Sequence, residues 1–176
     1  MKKQASTASL IIVLCAICLV TSLLLGLVNS VTEGPIAQIT KEKTEAAMKE
    51  VLPADSYEAV PYTGDDTQVT GMNKAGDEGY VVQLSVSGSQ GMIDMVVGVT
   101  NDGTVSGVSI VDMSETAGLG DKASEPEFRA QYVGTTGDAA VDKDGGKIAA
   151  LTGATVTSRA VTRGVNAAVA AVATMG

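Results

Sequence analysis

The residues best suited to chemistry lie in one short stretch, 151–158, which reads LTGATVTS. Its hydroxyl groups belong to Thr152, Thr155, Thr157 and Ser158. The pattern predicts a strand that ends, a tight turn at Gly153 and a helix that begins close to Thr155. A helix N-terminus has free N–H donors and a partial positive charge, so it binds phosphate, and glycine lets an anion approach the backbone. The stretch is a candidate phosphate or nucleotide site; alternatively, its hydroxyls only cap the helix.

Several other kinds of chemistry are excluded by composition. The chain contains no histidine, which rules out a serine–histidine nucleophile pair, a histidine base and an imidazole metal site. Its only cysteines, Cys15 and Cys18, fall within an apolar run, where they are interpreted as packing residues and not as a redox pair. We therefore predict no catalytic residue and no metal site. A domain so poor in reactive side chains needs a bound cofactor for redox chemistry.

The apolar run, residues 10–28, has no charged residue and is long enough to cover the ~30 Å hydrocarbon core of a bilayer. Lys2 and Lys3 precede it and no acidic residue does, so the positive-inside rule places residues 1–9 in the cytoplasm. The prediction is a transmembrane helix over 10–31, with the rest of the chain outside the cytoplasm. A cleaved signal peptide is the alternative, although its apolar core is usually only about 7–15 residues long.

The rest of the chain predicts one α+β domain. Residues 32–176 hold ten basic and twenty acidic residues, a net charge of −10, which argues against nucleic acid as a partner. A connecting helix is expected over 32–53, opened by Pro35 and closed by Pro53. Strand-like runs follow at 57–62, 68–72, 79–86, 92–100 and 104–113, with the rest of 63–78 as loop. Asn101, Asp102 and Gly103 predict a hairpin between the last two.

Beyond residue 113 the pattern changes to loops and helices. Residues 115–120 read as a loop, 125–132 as a helix anchored by Phe128, 135–146 as a link and 147–151 as a short strand. The final helix carries an apolar stripe at helical spacing: Val161, Gly164, Val165, Ala168, Val169 and Val172. This order of elements predicts an antiparallel sheet with flanking helices in a single domain over 54–176.

Two motifs resemble those of a known family. The stretch TGATVTS is similar to the flavinylation motif of FMN-binding domains, in which the threonine that closes "GAT" accepts FMN through its phosphate; here that position is Thr155. The segment ETAGLGDKASEPEFRAQYVG, residues 115–134, resembles a second signature of the family, an E-T-x-G-L-G loop followed by a short helix. With one N-terminal membrane helix, the chain resembles the G subunit of Rnf electron-transport complexes. The C subunit of the sodium-pumping NADH:quinone reductase shares both motifs.

The resemblance implies covalent FMN, held as a phosphoester of Thr155 and bound by the residues around it. The turn would contribute Thr152, Gly153, Ala154, Thr157 and Ser158. In the second motif, Leu119 would cover the ring system, the N–H groups of Gly118 and Gly120 would reach its polar edge, and Glu115 and Thr116 would hydrogen-bond it. Lys122 would place a positive charge nearby. From composition alone, this second motif is instead a glycine-rich surface turn.

The resemblance also implies a role and partners. The chain would relay electrons within an ion-translocating ferredoxin:NAD⁺ oxidoreductase, without being catalytic alone, alongside other Rnf-type subunits and membrane lipid. A separate flavin transferase, which uses FAD and Mg²⁺, would attach the FMN. The family often has an acidic residue where this chain has Ala149; the nearest upstream acid is Asp144. The alternatives are a stand-alone anchored flavoprotein and a non-redox binding module.

Overall fold

A computed structural model gives the fold of residues 7–175. Lys2 and Lys3, on which the predicted orientation depends, lie outside these described residues. Helix α1 spans Thr7–Val51. It contains an 18-residue window of mean hydropathy 3.0, so it is long and apolar enough to cross a membrane, a property that it shares with signal sequences. Residues up to Lys41 and residues from Glu42 onward form two compact units.

Pro35 does not open a second helix as the sequence predicted, because it lies inside α1. A proline within a helix removes one N–H donor, here the one that would bond the carbonyl of Val31. The helix nevertheless continues through this single missing hydrogen bond. The region predicted as a membrane helix and a connecting helix is thus one element.

Five antiparallel strands follow in a meander, each pairing with the next along the chain. They are β1 (Tyr57–Val60), β2 (Val69–Ala75), β3 (Gly79–Ser87), β4 (Met92–Thr100) and β5 (Val105–Met113). All five predicted runs are strands, and Gly103 has a φ of 81° at the predicted turn between β4 and β5. β2 continues to Ala75, so the loop predicted over 63–78 is shorter than expected: Asn73, Lys74 and Ala75 pair with β3.

The sheet is covered on both faces. Helix α3 (Thr155–Ala173) packs on one face through its predicted apolar stripe, all of which is buried. Gly164 brings α3 close to β4, because a Cβ there would lie 2.7 Å from Met95 Sδ. The end of α1, with Ala47, Met48 and Val51, packs on the other face against Val81 and Val96. Burial on both faces explains the nearly continuous apolar run of β4.

The segment between β5 and α3 is mostly irregular. A 3₁₀ helix spans Gly120–Ser124, α2 spans Pro126–Arg129, and a second 3₁₀ turn spans Ala130–Tyr132. The predicted helix over 125–132 is thus present as α2 and this turn, and Phe128 is buried as expected.

No strand forms over 147–151, contrary to the sequence prediction. Ile148 makes only an isolated parallel bridge with Val141, in which its N–H donates to Ala140 O at 3.1 Å and its carbonyl accepts from Asp142 N–H at 2.7 Å. Residues 134 and 135 occupy the start of the outer edge of β5, where they exchange two 2.9 Å backbone hydrogen bonds with Val105. The segment at 147–151 bonds to residues 140 and 142 and not to the sheet.

Candidate functional site

The stretch singled out in the sequence forms a tight turn that leads into α3. Ala154 N–H donates to Leu151 O at 3.0 Å, and Gly153 has a φ of 79°, a conformation that favours glycine. Ala154 precedes the helix, and among the described residues no side chain caps it. The first N–H groups of α3 are therefore open to an anion, which they would bind together with the positive end of the helix dipole.

Two of the four hydroxyls in this stretch are buried and hydrogen-bonded within the protein. Ser158 Oγ accepts from Leu151 N–H and donates to Ala154 O, both at 3.0 Å. Thr157 Oγ1 donates to Glu115 Oε2 at 2.7 Å. Both residues have no exposed surface. The structure thus gives the hydroxyls of Thr157 and Ser158 partners within the protein, and their predicted contact with cofactor stays a prediction.

The other two hydroxyls face outward. Thr152 is exposed, and Thr155 is half-buried at the first position of α3. Within residues 7–175 neither side chain makes a hydrogen bond. Thr155 is the hydroxyl of the four that combines solvent access with a place in the first turn of a helix that has no side-chain cap.

The loop over 115–120 lies against this turn. A Cβ at Gly153 would lie 3.1 Å from Leu119 Cδ2, so these two residues are in contact, and Leu119 keeps 42% of its surface exposed. The loop is closed by Thr116 O, which accepts from the N–H groups of Leu119 and Gly120 at 3.1 and 3.0 Å. The N–H of Gly120 is therefore engaged within the loop, and its predicted contact with the ring stays a prediction. Gly118 is exposed, with a φ of 75°.

Both carboxylate oxygens of Glu115 bond protein groups, and its predicted contact with the cofactor stays a prediction. Oε1 accepts from the N–H groups of Ser89 and Gln90 at 2.8 and 3.2 Å, and Oε2 accepts from Thr157. Burial acts to raise the pKa of Glu115, but the Thr157 hydroxyl and the backbone N–H groups outweigh it and hold the pKa below its ordinary value. The tip of the β3–β4 hairpin, residues 88–91, is thus part of the site. Sequence reasoning missed it, and its only signal was a glycine on each side of Ser89 and Gln90.

The remaining predicted residues lie near this loop or on its surface. Thr116 is exposed, and Lys122 is exposed in the 3₁₀ helix that follows. Its neighbour Asp121 has a buried oxygen, Oδ1, without a hydrogen-bond partner among the described residues. Burying a carboxylate oxygen without a hydrogen-bond donor costs free energy, so a donor from a bound ligand would stabilise Asp121 Oδ1. Sequence analysis did not single out Asp121.

Ala149 and the acids upstream of it are also placed. Asp144, the nearest acid in sequence, forms a bidentate ion pair with Arg159 of α3 at 2.8 and 2.5 Å, and that hydrogen bonding lowers the pKa of Asp144. Asp142 Oδ1 accepts from the N–H of Ala150 at 3.2 Å. Two carboxylates therefore flank the backbone just before the turn, although position 149 itself has none.

These residues fit FMN. The uncapped N–H groups of α3 and the outward hydroxyl of Thr155 suit its phosphate. The exposed apolar surface of Leu119 suits its ring system, and the unpaired oxygen of Asp121 suits one of its N–H or O–H donors. Across residues 7–175 no group of three or more acidic, cysteine or histidine side chains is arranged to hold a metal ion.

Comparison with known proteins agrees with this geometry. Residues 88–170, which include both motifs and the hairpin tip, match the FMN-binding domain family. The C subunit of the Na⁺-translocating NADH-quinone reductase from Parabacteroides distasonis has the same fold, with a TM-score of 0.52 and 20% identity over 74% of this chain and 80% of that one.

Three curated relatives are similar over nearly their whole length. The G subunit of an ion-translocating oxidoreductase complex from Methanosarcina acetivorans is 32% identical, over 96% of each chain. The G subunit of the proton-translocating ferredoxin:NAD⁺ oxidoreductase complex from Clostridium ljungdahlii is 36% identical, over 89% of this chain and 86% of that one. Its Na⁺-translocating counterpart from Acetobacterium woodii is 33% identical, over 88% and 86%. The chain therefore belongs to the family of G subunits of ion-translocating oxidoreductase complexes.

Proposed function

We propose that this protein is an electron-transfer subunit of an Rnf-type ion-translocating oxidoreductase complex, and that it carries FMN as a phosphoester of Thr155. The observation that carries the assignment to Thr155 is the sorting of the four hydroxyls in 151–158. Thr157 and Ser158 are buried and hydrogen-bonded, whereas Thr152 lies in the turn that precedes the helix. Thr155 alone joins an accessible hydroxyl to the first turn of α3.

The chain's own residues would bind and orient the cofactor. The N–H groups at the start of α3 would stabilise the negative charge that a phosphodiester retains. Leu119 would cover part of the apolar ring, and Asp121 Oδ1 would accept a hydrogen bond from it or from its ribityl chain. FMN, when bound, supplies the capacity to accept and donate one or two electrons, which this chain lacks in its own side chains.

Attachment requires a second protein. A flavin transferase would supply the FMN phosphate from FAD: a bond forms between Thr155 Oγ and phosphorus, the pyrophosphate bond of FAD breaks, and AMP leaves. The hydroxyl proton passes to a base of the transferase, since this chain has no histidine and the described part places no acid on Thr155.

We further propose that α1 is an uncleaved membrane anchor, with residues 1–9 in the cytoplasm and the FMN domain outside. The apolar window in α1 and the two lysines before it support this orientation. Alkaline phosphatase fused after residue 176 should be active in cells, since that enzyme matures outside the cytoplasm. An inactive fusion would indicate the opposite orientation, with the C-terminal domain in the cytoplasm.

The covalent link is tested by mass spectrometry of the full chain co-expressed with a flavin transferase. Wild type and Thr152→Ala should carry the added mass of one FMN and fluoresce in a denaturing gel, whereas Thr155→Ala should do neither. Retention of the FMN mass by Thr155→Ala would refute the assignment. Purification in mild detergent tests the complex: multi-helix membrane proteins should co-purify, and a chain that purifies alone would favour a stand-alone flavoprotein.

A further inference from the structure

We infer that Glu115 is a positioning residue, whose carboxylate clasps the tip of the β3–β4 hairpin to the first turn of α3 and so holds the two walls of the flavin site at a fixed separation. The inference deepens the proposed function and rests on Thr155 as the attachment site. Both carboxylate oxygens of Glu115 bond protein groups. Its effect on the cofactor would pass through Thr157 and Leu119.

The clasp joins three segments that are distant in sequence. Glu115 begins the loop that carries Leu119. Its Oε1 accepts two hydrogen bonds from the hairpin tip, one from the N–H of Ser89 at 2.8 Å and one from the N–H of Gln90 at 3.2 Å. Its Oε2 receives the hydroxyl of Thr157 at 2.7 Å. Both carboxylate oxygens are thus hydrogen-bonded, Oε1 to the tip of the β3–β4 hairpin and Oε2 to α3.

The surrounding backbone is shaped for this carboxylate. A Cβ at Gly88 would collide with Oε1, and a Cβ at Gly120 would lie 2.8 Å from Oε2 and 3.0 Å from Thr157 Oγ1. Neither glycine has a positive φ, so backbone conformation does not require glycine at these two positions. The absence of a side chain there makes room for the carboxylate between the hairpin tip and α3.

No cation takes part in the clasp. Among the described residues no lysine or arginine bonds Glu115, and the nearest arginines along α3 are engaged elsewhere: Arg159 pairs with Asp144, and Arg163 donates to Ser87 O at 3.0 Å. The negative charge is stabilised by directed N–H and O–H donors and by the positive end of α3, on whose first turn Thr157 lies. Such a clasp is directional, whereas a lysine on a flexible stem would not fix the separation of the elements.

The geometry links the clasp to the cofactor from both sides. Thr157 follows Thr155 by two residues on the first turn of α3, and Leu119 lies four residues after Glu115, against Gly153. Loss of the carboxylate would release the loop from the helix. The distance between Thr155 and Leu119 would then no longer be fixed.

The test uses the full chain in detergent, a purified flavin transferase and FAD. The variants are Glu115→Ala, Thr157→Val, which keeps the shape of Thr157 but removes its hydroxyl, and Thr157→Ser, which restores that hydroxyl. The rate of FMN incorporation should fall about tenfold or more in Glu115→Ala and Thr157→Val, as expected when a hydrogen bond to a charged group is lost. Thr157→Ser should recover most of the rate. Iodide should quench the incorporated FMN more strongly in the first two variants.

Asp112→Asn is the matched control, since it removes an exposed carboxylate on β5 three residues before Glu115, and it should incorporate FMN at the wild-type rate. Circular dichroism establishes that each variant is folded. Equal rates and equal quenching in Glu115→Ala and wild type would overturn the inference, as would equal behaviour of Thr157→Val and Thr157→Ser.

A readout without flavin separates this inference from the proposed function. In ¹H–¹⁵N spectra of the unmodified chain, the amide resonances of Ser89 and Gln90 should move in Glu115→Ala and stay in place in Asp112→Asn. Unchanged resonances in Glu115→Ala would refute the clasp even where Thr155 is flavinylated. FMN found at another residue of wild type would instead refute the proposed function.

Discussion

The hydroxyl of Tyr132 lies 2.9 Å from that of Thr162, which is a residue of α3, and both side chains are buried. Thr162 Oγ1 also donates to Ser158 O at 2.8 Å, so its proton is used and Tyr132 must be the donor in their shared bond. Ser158 in turn holds Leu151 N–H and Ala154 O. Hydrogen bonds therefore connect Tyr132 in the core to the turn before Thr155, and the connection passes through the backbone of Ser158.

The buried hydroxyl of Tyr132 predicts a loss of stability at alkaline pH. Burial raises the pKa of Tyr132 from 10.0 to about 12. Its contribution is fully present below pH 10, because both states then keep the proton, and it is lost between pH 10 and about 12 as the unfolded chain ionises first. The loss should reach about 3 kcal/mol. Urea unfolding between pH 9 and 12 measures it. Tyr132→Phe should have a shallower slope, and an unchanged slope would contradict the assignment.

Gly153→Ala tests the contact between the turn and the loop, with Gly118→Ala as its matched control. Both glycines have a positive φ, 79° and 75°, which costs about 1–2 kcal/mol for alanine. Only Gly153 has a neighbour within 4 Å of the added Cβ, which is Leu119. Gly153→Ala should therefore unfold more easily than Gly118→Ala and incorporate FMN more slowly. Equal effects would show that Leu119 moves away freely.

Arg129 should contribute more to stability than its ion pair does. Its guanidinium donates to Val108 O, to Ser124 O and to Glu50 Oε1, each at 2.9 Å. Arg129→Ala leaves two carbonyls without a donor and should cost about 2–3 kcal/mol. Glu50→Gln should cost less than about 1 kcal/mol, since the side chain of Glu50 is 54% exposed. Denaturant unfolding of both variants decides this, and equal losses would assign the effect to the ion pair.

Gly164 sets the distance between α3 and the sheet. Gly164→Ala adds helix propensity of about 1 kcal/mol, which should offset the shift it forces on Met95, whose sulfur lies 2.7 Å from the added Cβ. Gly164→Leu brings a side chain that the interface has no room for and should destabilise by about 1–3 kcal/mol. Thermal unfolding compares the two. A stable Gly164→Leu variant would show that α3 can lift from the sheet at little cost.

Local patterns predicted most of this fold from the sequence. The five strands and α3 were expected because each has its own period of apolar residues, which the buried faces confirm for Val161, Val165 and Ala168. The segment at 147–151 has strand-like residues as well, but a strand needs a partner, and this segment bonds to residues 140 and 142 and not to the sheet. Pairing of this kind depends on distant backbone and is not readable from the segment itself.

The candidate site was only partly predictable for a related reason. The motif in 151–158 predicted the turn and the helix that follows it, yet its four hydroxyls look alike in sequence. Their separation into buried and accessible pairs depends on Glu115 and on Leu151, which the fold brings to them. The hairpin tip entered the site through its backbone N–H groups, which carry no side-chain signature. Asp121 became notable only once its oxygen proved buried.

The division of the four hydroxyls has a consequence for the order of events in the cell. A synthetic chemist who wants to esterify one alcohol among several masks the others with protecting groups. Here Glu115 and the turn mask Thr157 and Ser158 with hydrogen bonds and burial, and they do so only in the folded chain. An unfolded chain would offer all four alcohols of this stretch. For the attachment proposed above, folding would precede modification, because the folded domain hides two of the four alcohols and leaves Thr152 and Thr155 accessible.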